Sequence, residues 1–92
     1  MRRAGRIDGN QTLIVRALRE AGASVLILSD MGHGVPDLLV AKAQRTFLLE
    51  LKDSAQKPSA RRLTDDERCF HALWRGEIYV VETPEEALAR LG

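Results

Sequence analysis

Cysteine is almost absent from this chain of 92 residues, where Cys69 stands alone. No internal disulfide can form, and Cys69 with two scattered histidines offers too few ligands for a structural zinc site. A reducing cytoplasm is the expected compartment. No apolar run approaches the ~20 residues that cross a bilayer, so no membrane partner is expected. The start is basic, with Arg2, Arg3 and Arg6, but no apolar stretch follows it and no secretory signal is expected. Internal repeats, low-complexity tracts and linkers are missing too, which predicts a single domain over residues 1–92. A net charge of +1 carries little by itself.

What is present is a hydrophobic content of 45%, enough for a modest core. Residues 10–21 place Leu13, Ile14, Ala17, Leu18 and Ala21 at helical spacing, and Gly22 supplies a stop. Residues 24–28 read as a short buried strand. A glycine-bearing loop with Gly32, His33 and Gly34 follows, and then strands over 36–41 and 46–52 joined as a hairpin. Residues 53–62 are polar and read as a loop. Thr64 with Glu67 forms one capping box, opening a helix that carries Phe70, Leu73 and Trp74. Thr83 with Glu86, and Pro84 at the first helical position, forms a second, opening a helix with Ala87, Leu88 and Leu91. Residues 78–81 read as a strand between them. The expected order is α-β-β-β-α-β-α. The helix before the last strand provides a crossover to a parallel partner.

The hairpin carries the chemistry. Side chains alternate along a strand, so Glu50 and Lys52 share a face while Leu51 points away. Closing the hairpin symmetrically about Ala43 and Gln44 sets position 37 opposite position 50. Asp37 and Glu50 then become cross-strand neighbours with Cβ atoms ~4.5–5.5 Å apart. Like charges at that spacing destabilise a sheet unless something offsets them. Lys52 offers one positive charge, as a structural ion pair. A divalent cation held by the carboxylates offers more, and hard oxygen ligands suit Mg²⁺ or Mn²⁺. Such a site favours hydrolysis of a phosphodiester, with Lys52 orienting water or stabilising charge on the phosphoryl group.

Pro36-Asp37 followed by Glu50-Leu51-Lys52 resembles the PD-(D/E)xK nuclease signature. The approach Gly32-His33-Gly34-Val35-Pro36-Asp37-Leu38-Leu39-Val40 is similar to that of the VRR-NUC (virus-type replication-repair nuclease) family. So are Leu48-Leu49-Glu50-Leu51-Lys52 and the later Leu63-Thr64-Asp65-Asp66-Glu67 with Trp74. The chain looks most like the small stand-alone members found in bacteriophages and bacteria. The resemblance implies an α/β, restriction-endonuclease-like α-β-β-β-α-β core with a four-stranded mixed sheet flanked by helices. It implies Mg²⁺ or Mn²⁺ on Asp37, Glu50 and the main-chain carbonyl of Leu51, with Lys52 catalytic. It also implies a homodimer acting on branched DNA such as four-way junctions. Family members often carry an acid in the first helix near the site, where this chain has Gln11, a poorer ligand able to accept a hydrogen bond from a metal-bound water. Many relatives carry glutamine where this chain has Arg68, which would turn a neutral contact with DNA into a charged one.

Other residues have two readings each. His33 and Gly34 could approach a phosphate, or simply form an exposed turn. Lys57, Arg61 and Arg62 could position the nucleic acid, or form a solvated basic loop. His71 is expected at the surface or rim, Cys69 as a small core filler, and Trp74 as core. The alternative function is a catalytically idle nucleic-acid-binding module on the same fold.

Overall fold

The structure, a computed structural model, describes residues 9–92; Arg2, Arg3 and Arg6 lie outside the described residues. Helix α1 spans Gly9–Glu20. Its residues Gln11, Ile14, Val15 and Leu18 are buried, the i, i+3, i+4, i+7 stripe of an amphipathic helix. Gly22, at φ +93, ends it. The Ala23 N–H donates to Leu18 O and the Gly22 N–H to Arg19 O, both at 3.0 Å, which satisfies carbonyls the helix leaves open.

Four strands follow the expected order: β1 Ser24–Ile27, β2 Leu38–Lys42, β3 Arg45–Leu51 and, after helix α2 (Asp65–Leu73), β4 Ile78–Val81. A final helix α3 covers Pro84–Ala89. The sheet is mixed, in the order β1-β2-β3-β4, with only β3 and β4 parallel. Fold class and element order agree with the sequence. The β2–β3 turn uses two residues, Ala43 and Gln44, both at positive φ. That twist matches the flanking strands and fixes the register Lys42↔Arg45 through Leu38↔Leu49.

One face of the sheet packs Leu38, Val40, Phe47, Leu49, Leu51 and Val81 into the core with Ile14, Val15 and Leu18 of α1 and Ala87 of α3. Each fully buried aliphatic side chain here stabilises the fold by about 1.5–3 kcal/mol. On the other face Leu48 and Glu50 are also buried.

Several expectations need correction. β1 is not a buried strand. It lies at the sheet edge with Leu26 57% and Ile27 45% exposed, because among the described residues no further strand pairs with it, and periodicity alone cannot reveal a missing neighbour. Trp74 and Leu73 are not core; they are 45% and 78% exposed. Trp74 instead stacks on Phe70 at 5.4 Å between ring centroids. Cys69 is exposed on the same helix, which buries none of its residues. Within 53–62 a short 3-10 helix forms over Pro58–Arg61. The second capping box is half made: Thr83 Oγ1 accepts from the Glu86 N–H, but the Glu86 carboxylate takes the N–H of Glu82. No helix of the described residues is long and apolar enough to cross a membrane.

Candidate functional site

The ladder ends at Leu38↔Leu49. One step further sets Asp37 opposite Glu50, the pairing expected from the hairpin. Asp37 precedes β2 rather than lying in it, yet its position is tightly fixed. Its main-chain oxygen accepts from the Leu28 N–H at 2.7 Å, and its Oδ2 accepts from the Leu51 N–H at 2.8 Å. The carboxylate thus replaces a main-chain acceptor at the end of the hairpin and brings Asp37 against the Leu51 backbone.

Glu50 is 3% exposed. Burial, then the adjacent Asp37, then Glu67, push its carboxyl up to about 9, with hydrogen bonding to Asp37 acting in the same direction and Lys52 opposing. At neutral pH the pair therefore holds a proton that an exposed glutamate would have released. Glu50 Oε1 is buried without a hydrogen-bond partner.

Lys52 shares the Glu50 face, with Nζ 3.9 Å from Glu50 Oε2. Its nearer partner is Glu67 Oε1, at 2.8 Å. Glu67 is the N3 residue of the α2 capping box: the same Oε1 accepts the Thr64 N–H at 2.9 Å, while Thr64 Oγ1 accepts the Glu67 N–H. One carboxylate therefore starts the helix and orients the ammonium. Hydrogen bonds from Lys52 and Thr64 outweigh burial and keep Glu67 below the usual carboxylate range. The spacing from Thr64 to Glu67 signalled the cap, but nothing in it signalled Lys52.

Two more residues join the site without having been expected there. Ser29 Oγ is 2.9 Å from Gln11 Oε1 and 3.3 Å from Asp37 Oδ1. A hydroxyl has one proton and serves one of these acceptors at a time. Gln11 is 5% exposed and its Nε2 has no partner. Turning the amide by half a revolution lets Nε2 donate to Ser29, frees the Ser29 proton for Asp37, and leaves Oε1 as a buried acceptor. Gln11 thus faces Ser29, and reaches Asp37 through it. His71, expected at the surface or rim, is half-buried, with Nε2 3.8 Å from Glu50 Oε1. Burial holds its pKa below the ordinary value against the pull of Glu67.

The expected nucleic-acid contacts are spread out. His33 is exposed, in a left-handed conformation at φ +57. Gly34 serves packing: at φ +81, a Cβ there would overlap the main chain of Asp66, so glycine lets the loop lie against the start of α2. Arg61 donates to Glu82 Oε1 at 3.3 Å, whereas Lys57 and Arg62 are exposed. Arg68 is exposed and pairs with Asp65 one turn earlier. Among the described residues no group of three or more His, Cys, Asp and Glu side chains is arranged to hold a metal ion. Glu67 is tied to Lys52, which leaves two carboxylates and the Leu51 main chain as the oxygen donors. Comparison of the chain with family models, curated proteins and solved structures finds no match.

Proposed function

We propose that this protein is a metal-dependent DNA endonuclease whose centre is Asp37, Glu50 and Lys52. The observation that carries the reading is Glu50, a buried carboxyl forced against Asp37 with an orphaned oxygen and a lysine on the same face. Such an arrangement is costly for the fold alone. It fits a site awaiting a divalent cation, with Asp37, Glu50 and the Leu51 carbonyl as its oxygen donors. When bound, Mg²⁺ or Mn²⁺ supplies Lewis-acid activation of a phosphoryl oxygen and a more acidic water.

The chain's own groups supply the rest. Glu50 would hold the ion as a carboxylate, which requires loss of the proton that burial favours. Ser29, held by Gln11, fixes one oxygen of Asp37, and the Leu51 N–H fixes the other. Lys52, steered by Glu67, places a positive charge where an attacked phosphodiester accumulates negative charge. Water adds to phosphorus, the P–O bond to the departing nucleotide breaks, and the proton lost by the water passes through solvent to the departing oxygen. Likeness to the VRR-NUC nucleases supports a homodimer acting on branched DNA in a bacterial or phage-infected cytoplasm.

The test is cleavage of a four-way junction, linear duplex and matched RNA in Mg²⁺, with Asp37→Ala and Lys52→Ala alongside and light scattering for the dimer. Wild type should outpace both variants by about 10³-fold. Equal rates sink the nuclease reading. DNA binding with no cleavage leaves the idle binding module.

A further inference from the structure

A groove of about 550 Å³ lies between α1 and the exposed edge strand β1. One end is lined by Gln11, the residue that reaches Asp37 through Ser29, so the groove and the candidate centre share this side chain. Val15 and Ile27 form its apolar floor, and Thr12, Arg16 and Arg19 supply hydrogen-bond donors. Counted from Gln11, Arg16 lies about 7.5 Å and Arg19 about 12 Å along the helix axis. Arg19 is held in place because it donates to Val25 O at 3.0 Å, and its remaining N–H groups are available to a ligand. Among the described residues Arg16 forms no ion pair. Glu20 lines the groove as well, one residue beyond Arg19, and repels an anion there.

We propose that this groove is a nucleic-acid subsite that holds the strand flanking the scissile phosphate, with phosphate oxygens on Thr12, Arg16 and Arg19 and the sugar against Val15 and Ile27. Two guanidinium groups beside an apolar floor match the alternation of charged phosphate and apolar sugar along a strand. The strand enters at Gln11 and leaves before Glu20. That the held strand flanks a cleaved bond rests on the nuclease reading; the charge and shape of the groove do not.

The experiment measures binding of a fluorescein-labelled DNA duplex by anisotropy across a salt series, with Ca²⁺ replacing Mg²⁺, followed by steady-state cleavage in Mg²⁺. Arg16→Glu should weaken binding about tenfold or more and lower the slope of log Kd against log salt by about 0.9 for each phosphate that is no longer neutralised. KM should rise while kcat at saturating DNA stays within about twofold, since the substitution removes binding rather than chemistry. Arg16→Lys should recover most of the affinity, and an unchanged melting temperature confirms that the exposed substitution leaves the fold intact. If wild type binds and cleaves DNA and Arg16→Glu matches it in Kd and salt slope, the groove proposal falls alone. If wild type binds without cleaving and Arg16→Glu loses binding, the nuclease reading falls and the groove stands. A wild type that binds no DNA overturns both. Ile27→Glu altering the oligomeric state with DNA affinity unchanged gives the groove to a second copy of the chain and overturns the proposal.

Discussion

Strand β3 has a charged cluster at each end, and the two are built on opposite terms. At its start, Arg45 pairs with Glu77 at 2.5 Å and donates to Arg90 O at 2.7 Å. The Tyr79 hydroxyl donates to the same glutamate, and the Arg90 guanidinium lies 4.1 Å from the Tyr79 ring centroid. The hydrogen bond from Arg45 holds Glu77 below the usual carboxylate range. Unlike charges meet there in contact with water. At the other end, Asp37 and Glu67 lie beside Glu50, one lysine serves Glu67 and Glu50, and burial drives Glu50 up to about 9. Glu50 Oε1 and His71 Nε2 are left unpaired. The first cluster is complete as it stands and serves the fold. The second leaves buried polar atoms without partners, which is why we read it as the functional one.

Glu50→Gln should separate the two ends most sharply. The raised pKa means that folded protein keeps a proton which the unfolded chain sheds from about pH 4.5 upward. Stability from this group is therefore full below that pH and is lost as pH climbs through about 9. Glutamine cannot ionise. The variant should lose cleavage by about 10³-fold, yet at pH 9 withstand urea better than wild type, with the gap closing at pH 5. Saturating Mn²⁺ should narrow the gap at pH 9 by stabilising wild type alone. A wild-type stability independent of pH would show that Glu50 is not strained.

Thr64→Ala acts at one remove. Loss of the cap should lower stability by about 1 kcal/mol, seen as a shift in the denaturant midpoint. Loosening Glu67 should also slow cleavage, because Lys52 loses its guide. An unchanged kcat would confine Glu67 to capping. The smallest effect belongs to the other end of β3: Glu77→Gln should lower the melting temperature slightly at low salt, less at high salt, and leave cleavage untouched. A marked loss of activity there would dissolve the contrast between the ends.

The sequence was most readable where a short-range rule applied. Alternation along the strands and a symmetric turn at Ala43 and Gln44 were enough to set Asp37 against Glu50. The Thr64 cap followed from spacing in the same way. What escaped depended on contacts between distant segments. Ser29 belongs to the site only because the loop after β1 passes between α1 and Asp37. His71 and Glu67 do so because α2 settles over the end of β3. The exposure of Leu26, Leu73 and Trp74 could not be read either, since an apolar pattern shows what wants cover and not whether a neighbour supplies it.

The β2–β3 turn has a practical consequence. Ala43 and Gln44 occupy left-handed conformations, at φ +55 and +67, that cost residues with a Cβ about 1–2 kcal/mol each, whereas asparagine followed by glycine accepts them readily. At about 3.4 Å per residue, the length of β3 separates this turn from Glu50 by well over a dozen ångströms. An engineer can therefore raise the protein's robustness at the hairpin tip without touching the carboxylates at the far end of the same strand.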